Sequence, residues 1–597
     1  MRKIIIAILA AGAFAGSACK KDFLNRYPTT SVSPQLFFKS ESDLSMYIFG
    51  LLNHSGSGIY LSEQGTDNCA TTGNQTIINM MTSTPNSRNM PSAWSWGRLR
   101  NINYFLENYQ QAKVTDDVKN HYAGLARYYR AMFYMDKIKT YSDVPWYGRT
   151  LNPSDTALLY APRTPRAQVM DSVIADLVFA SQNVKESVPS GTPGLWAVKA
   201  TYARIALYEG TFRKYHPELN LAATANRFLD SARKQALDVM NSGKFTLAAK
   251  FSDNFNSLDL SGSKEVILNC PYDVTKKGGS SANNNSTVFG DYEQSPSRDL
   301  VQTFLMKDGT RFTDKPNYNQ FGFVEEFTDR DPRLGFTIVP PGFVRLPATR
   351  PYVQTFSNNF TGYHQLKGYF NFSTDGQVIG STDVPSIRYA EVLLTYAEAV
   401  AEMGTATQTD IDNSIGLLRG RVNMPGLNMA AANGDPDPVL AAQYPAVQGA
   451  NKGLILEVRR ERRVELAMEG YRYDDIMRWY AGKRLQIIPL GMYFPGLGQY
   501  DLTGDGVADV ILISKNTAIP PDSEKIKNSL GVTLIYYKTG NYAEPGVAIY
   551  LENGEAGGRI VTGTTARTFA EPKFYYYPVP FSETSMNPNL KQLFGWD

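Results

Sequence analysis

The spacing of apolar and polar positions changes character three times along the chain. Between about residues 36 and 245 apolar side chains recur at three- and four-residue steps, the period of helices with one buried face. Leu44, Ile48, Leu51 and Leu52 mark a short amphipathic helix within 40–53, opened by Ser40 or Ser42 as its cap. Further helices are predicted over 96–109, 116–141, 165–184, 195–209 and 223–241. Pro145 closes the second of these, because the residue before a proline avoids helical backbone, and Gly243 closes the last. Helix pairs of about 34 residues suggest tetratricopeptide-like units. Residues 246–385 lose this period. Short strands such as 265–269 alternate there with polar loops, among them TKKGGSSANNNST at 275–287. Helices return at 386–403, 409–421 and from 457 onward, and 484–562 reads as a β-rich insertion. The fold class is mostly α: a tetratricopeptide-like helical-hairpin scaffold with irregular loop-rich and small β insertions.

Charge alters this picture most in residues 457–480, EVRRERRVELAMEGYRYDDIMRWY. Its first half is rich in helix formers and free of Gly and Pro up to Gly470. At 100° per residue Glu461, Glu465 and Glu469 share a sector with Leu454 and Val458, with Arg462 beside them. Three carboxylates on one row repel unless cations neutralise them. Arg459, Arg462, Arg472 and Arg478 are near in sequence, and a guanidinium grips a carboxylate through two parallel hydrogen bonds. With Tyr471, Tyr473, Trp479 and Tyr480 following, the reading is a partly buried ion-pair network rather than a solvated charged face.

The segment RRVELAMEGYRYDDIMRW also resembles the ER-x-x-ELAFEG-x-R-x-x-D-x-x-RW signature of SusD/RagB-like outer-membrane lipoproteins of the Bacteroidetes. GLARYYRAMFYMDKIKTYSDVPW, SPSRDLVQTFLMKDGTRF, DRDPRL and the ending YYYPVPFSETSMNPNLKQLFGWD are similar to further family segments. The ending departs from the family at Leu593-Phe594. The resemblance implies a SusD-like fold in a single domain over 19–597. Its scaffold would span about 36–245 and 386–482, its ligand-side region 246–385, and its C-terminal family segment 571–597. It also implies a surface lipoprotein that captures nutrient for a SusC/RagA-like TonB-dependent transporter.

The first residues fit that implication. Arg2 and Lys3 precede an apolar run too short to span a membrane, and Gly16-Ser17-Ala18-Cys19 resembles a lipobox. Residues 1–18 are read as a lipoprotein signal peptide, with Cys19 acylated and the outer membrane reached through that lipid alone. Gly stands where a lipobox usually has Leu. Cys69 and Cys270 would meet an oxidising compartment, but two distant cysteines do not establish a disulfide.

Candidate ligand residues come from loops. Residues 54–93 are aperiodic and polar, and they run into Trp94-Ser95-Trp96. The family resemblance implies that a Trp here packs at a helix start. Trp96 is therefore expected to be structural and Trp94 to stack on ligand, with Asp67 as a hydrogen-bonding partner. Phe289 and Tyr292 lie where the family's ligand-contacting loops tend to lie. One face is expected to unite the 54–96 and 271–297 loops.

YDLTGDGVADVILISK places Asp501, Thr503, Asp505, Val507 and Asp509 at calcium-loop positions 1, 3, 5, 7 and 9, with Gly506 at 6. The bidentate Glu of position 12 is replaced by Leu512. A structural Ca2+ and a plain turn both remain open, and no other cofactor is required.

Composition excludes several classes. A net charge of +3 on 597 residues gives no case for nucleic acid. Four His and three Cys leave little for zinc or thiol chemistry. No nucleophile-elbow, Cys/His or H-E-x-x-H pattern is present, so the protein is read as a binding module and not an enzyme. A glycan-degrading carboxylate pair is the weakest alternative. Aromatic platforms favour glycan. RagB-like members are associated with oligopeptides, so peptide capture is the alternative ligand reading.

Overall fold

A computed structural model of the chain describes residues 37–52, 56–273, 275, 289, 294–357, 359–372 and 381–596. The signal segment with Cys19, and Tyr292, lie outside the described residues.

The first helix, α1 (Glu41–Phe49), is fixed by a capping box in which Ser40 accepts from the Asp43 amide and Asp43 accepts from the Ser40 amide. The scaffold continues through α2 (Gly97–Asn108), α3 (Asp116–Tyr141), α4 (Arg166–Asn183), α5 (Leu195–Tyr215) and α6 (Ala225–Asn241). α3 packs on α4 and α5 on α6 as antiparallel neighbours. Asp116 and Asp117 open α3 and Lys139 closes it, each complementing the helix dipole. α5 outlasts its predicted end at Glu209 by six residues. The glycine that suggested a stop, Gly210, instead lies against α6, where a Cβ would come within 2.8 Å of Leu229. Close helix packing outweighs the propensity cost of that glycine.

Two more boundaries are set by tertiary partners. The helix expected from 386 begins only at Tyr389, because Val384–Arg388 (β4) is an antiparallel partner of Val266–Cys270 (β2). That helix, α7 (Tyr389–Met403), ends at Gly404 in left-handed backbone. The helix expected over 409–421 is two pieces, Gln408–Asp412 and Ile415–Arg421. α8 (Lys452–Leu466) and α9 (Arg472–Arg478) carry the charged stretch.

The β-rich segment forms two sheets. β5 (Leu490–Phe494) pairs with β10 (Gly558–Val561). β6 (Gly498–Tyr500), β7 (Val510–Ser514), β8 (Ile535–Gly540) and β9 (Ile549–Tyr550) form the other, antiparallel at its first pair and parallel at the next two. Val510, Leu512, Met492 and Phe494 share an apolar core with Val464, Ala467 and Met468 at the end of α8. The insertion is thus seated on the scaffold. A larger core joins α2–α8 to Tyr575, Tyr576 and Trp596 of the C-terminal segment, which ends in the short α10 (Phe581–Met586) and its tail. A third core gathers Tyr60, Phe251, Phe255, Phe289, Val339, Tyr369 and Val384. Cys69 and Cys270 are both free, and the Cys69 Sγ lies 3.7 Å from the Met468 Sδ. No described helix is long and apolar enough to cross a membrane.

Candidate functional site

α8 is buried on all sides, from Gly453 to Leu466. A charged helix survives there because each carboxylate meets guanidinium groups. Glu457 pairs within the helix with Arg460 at 3.2 Å, but Glu461, Glu465 and the following Glu469 do not take the arginines next to them in sequence. Glu461 is held by Arg333 at 2.5 Å and Arg419 at 2.8 Å. Glu465 accepts from Arg421 at 2.6 and 2.7 Å, and from Arg388 and Arg333 at 3.2 Å. Glu469 binds Arg388 at 2.7 Å and Lys367 at 2.6 Å. The neighbouring arginines point elsewhere: Arg459 to Glu402, Arg462 to Asp475, and Arg478 to Glu398 and Asp475. Burial alone would raise the Glu465 pKa, but Arg421, Arg388 and Arg333 overcome it and hold the carboxyl far below its usual range.

Asp67 belongs to this interior and not to a ligand surface, which corrects the sequence expectation. It is buried, and it takes both nitrogens of the Arg472 fork at 2.7 Å and the Arg484 guanidinium at 2.5 Å. Arg463, Arg472 and Arg484 depress its pKa well below the carboxylate range against the opposing effect of burial. Buried and ringed by these guanidinium groups, the carboxylate has no exposed face to offer a ligand.

The two long loops do meet at one end. β1 (Cys69–Ala70) pairs with β3 (Ser295–Pro296), and the Ser57 amide donates to the Tyr272 hydroxyl at 3.0 Å. Beside them stands an aromatic cluster whose hub is Phe289. That ring is fully buried against Tyr369 (4.6 Å between centroids), Tyr352 (5.0 Å) and Phe343 (5.8 Å), with the Arg345 guanidinium 4.4 Å above it. Phe289 therefore supports the surface and does not touch a ligand, a second correction. Tyr272, Phe343 and Tyr352 form the half-exposed rim of this cluster.

Trp94 and Trp96 are elsewhere. They line a cleft of about 520 Å3 with Arg100, Tyr147, Tyr160 and Glu583, between the start of α2, the 147–160 segment and α10. The expected single face is thus divided into two places. The roles of the indoles are also shifted: Trp94 is 9% exposed and packs edge-on against Tyr141 at 4.8 Å, whereas Trp96 is half-buried and borders the opening. Trp96 is the N-cap residue of α2 and also packs on Tyr147 at 5.1 Å. Beneath it, the Lys137 ammonium lies 5.3 Å from the Trp96 ring centre and donates to the Ala93 carbonyl. Burial lowers the Lys137 pKa to about 8. This buried cation and the Tyr141 hydroxyl, which accepts from the Ala93 amide at 3.0 Å, fix the turn that presents both indoles.

A profile of the SusD family matches residues 264–596. The chain belongs to the SusD family. SusD-like proteins P38 and P2 of Formosa agariphila are 24% and 22% identical to it, over 76% and 78% of this chain and 86% and 87% of theirs. A SusD-like carbohydrate binding protein of Bacteroides fragilis is similar in structure, with a TM-score of 0.67 and 23% identity, covering 93% of this chain and 100% of its own. A laminarin binding SusD-like protein gives a TM-score of 0.57 at 14% identity, covering 94% and 100%. The fold is SusD-like, and the Glu461–Glu465–Glu469 ladder lies inside the family match.

The 501–509 loop closes on itself. Asp501 accepts from the amides of Thr503, Gly504 and Gly506, and Asp509 from those of Leu502 and Thr503. Asp505 accepts from the Val507 amide, and Gly506 takes the left-handed backbone (φ 82°) that the turn needs. Among the described residues no group of three His, Cys, Asp or Glu gathers as metal ligands. The geometry is that of a hydrogen-bonded turn, in which the Asp501, Asp505 and Asp509 carboxylates all accept from backbone amides.

Several site residues carried no signal in the sequence. Tyr147, Tyr160 and Glu583 meet across more than 400 positions, and Phe343, Arg345 and Tyr352 come from a segment with no period at all. Single aromatics in loops are too common to be singled out without the partners that turn them into a surface.

Proposed function

We propose that this protein is a lipid-anchored, surface-exposed capture protein that binds oligosaccharide and passes it to a SusC/RagA-like TonB-dependent outer-membrane transporter. Family membership supports the reading, as do the two structural relatives whose names state carbohydrate and laminarin binding. The observation that carries it is the rim of Tyr272, Phe343 and Tyr352 around the buried Phe289 hub, beside the meeting point of two long polar loops. Half-exposed rings on a rigid base offer flat apolar faces, and sugar C–H faces stack on these while loop polar groups reach the hydroxyls. Tyr292, three residues after the hub Phe289 in sequence, is proposed as a further stacking residue. The protein binds and does not cleave.

The test is calorimetry on soluble protein comprising residues 20–597. It is titrated with hexasaccharides from β-1,3-glucan, α-1,4-glucan, xylan and mannan, and with a panel of oligopeptides. At least one hexasaccharide should bind, with affinity lowered about tenfold or more in Tyr352→Ala and Tyr292→Ala. Binding of peptides alone would move the protein to the RagB-like alternative, and release of shorter sugars would make it an enzyme.

A further inference from the structure

The indole cleft is not needed for the loop-face reading, and its lining is unusual for a piece of ordinary surface. Around the opening stand Leu159, Tyr160 and Met586, exposed by 39%, 52% and 63%. Inside it, Trp96 and Tyr147 meet at 72°, so the two rings form a corner and not a flat wall. Its volume of about 520 Å3 lies within the range of small-ligand clefts.

The polar groups of the cleft fall into two sets. One set is committed. Arg149 is neutralised by Asp155 at 2.7 Å, Thr150 donates to Glu107 at 2.7 Å, and Asn587 donates to the Ala161 carbonyl at 3.0 Å. The other set is not. Arg100 has one nitrogen on the Leu151 carbonyl at 2.8 Å, and neither Arg100 nor Glu583 is in an ion pair among the described residues. Glu583 lies close enough to Tyr147 that it joins burial in pushing that phenol pKa up. The cleft therefore presents one donor cation and one acceptor anion outside any ion pair among the described residues, together with aromatic rings in its lining.

We propose that this cleft is a second binding site, separate from the loop face, for a neutral oligosaccharide; the choice of ligand class rests on the glycan reading above. The charge pattern selects the ligand. An anionic ligand meets Glu583 and a cationic one meets Arg100, and either leaves one wall unfavourable. Neighbouring hydroxyls on a neutral sugar both donate and accept, so they satisfy Glu583 and Arg100 together. The apolar face of the ring packs into the Trp96–Tyr147 corner, and Tyr160 closes over it. Lys137 is a positioning residue, since it holds the turn below Trp96 and is buried beneath the ring.

The experiment uses the same soluble protein and the four neutral hexasaccharides, with a polygalacturonate hexamer as charged control. Wild type should show two binding sites per chain for a neutral hexasaccharide. Glu583→Gln and Tyr160→Ala should each weaken one site by about tenfold and leave the other unchanged. Tyr352→Ala should do the reverse. Tyr160 is exposed and Glu583 half-exposed, and circular dichroism verifies that the variants fold. One site in wild type, removed by Tyr352→Ala and indifferent to Glu583→Gln, overturns the second site and leaves the capture function standing. No binding of any sugar overturns both. Equal affinity of the cleft for the charged hexamer overturns the choice of a neutral ligand.

Discussion

Glu465 shows most clearly what a single residue does in this protein. Its carboxylate is fully buried and accepts from Arg421, Arg388 and Arg333. Removing it leaves three buried guanidinium groups short of negative charge, and Glu265 and Glu469 cannot serve them all. Glu465→Ala is expected to lower stability by about 3–5 kcal/mol in chemical denaturation. The effect has a pH signature. The folded pKa is depressed from 4.5, so the stabilisation is complete above that value and is lost as pH falls through the folded pKa. The gap between wild type and variant should be constant above about pH 5 and should narrow in acid. An unchanged midpoint at neutral pH would mean that the arginines find other partners.

Among elements, the 501–509 loop joins β6 to β7 and carries the spacing of a calcium loop, with its aspartates turned onto backbone amides. Its first aspartate satisfies three backbone amides, the task that makes such loops turn sharply with or without an ion. Asp501→Ala is therefore expected to cost about 1–2 kcal/mol by leaving those amides to solvent. Added calcium should not raise the melting temperature of wild type or of Asp505→Ala. A calcium-dependent rise in wild type that Asp505→Ala abolishes would restore the metal site, since an ion that binds only the folded loop stabilises it by mass action. α8 begins in close contact with a neighbouring segment. At Gly453 a Cβ would lie 1.8 Å from the Ala432 carbonyl oxygen, so the start of that helix sits directly on a neighbouring backbone.

At the scale of the molecule, α8 is the seam. Its carboxylates reach Arg333 in the loop-rich region, Arg388 at the end of β4, and Arg419 and Arg421 in the helix of 415–421, and Glu469 just beyond its end binds Lys367. Its apolar end enters the core of the β insertion. A capture protein benefits from this arrangement, because loops that hold ligand must be fixed to a base that does not yield. The proposed delivery to a membrane partner would depend on how the protein is held, and the proposed anchor is the acyl group on Cys19. Cys19→Ala is expected to abolish acylation and to release the protein from the outer membrane in cells that lack the transporter, read by fractionation. Full retention in that background would show that something other than lipid holds it.

Sequence alone determined the helical scaffold, because a 3.6-residue apolar period is a local property of the chain. It also favoured buried cations for Glu461, Glu465 and Glu469 over a solvated face, since carboxylates spaced four apart beside apolar neighbours repel unless neutralised, although the helix itself ends at Leu466, before Glu469. The family signature was legible for the same reason: it is contiguous. Only the tertiary structure decided which cations answer those carboxylates. Arg333, Arg388, Arg419 and Arg421 lie 40 or more residues away, and nothing local distinguishes them from solvated arginines. Tertiary contacts likewise drew Asp67 inside, made Phe289 a hub, and parted Trp94 from the loop it was expected to join. A polar or aromatic residue in a loop has no intrinsic side. Its role is set by what packs against it, and those partners come from segments that only folding brings together.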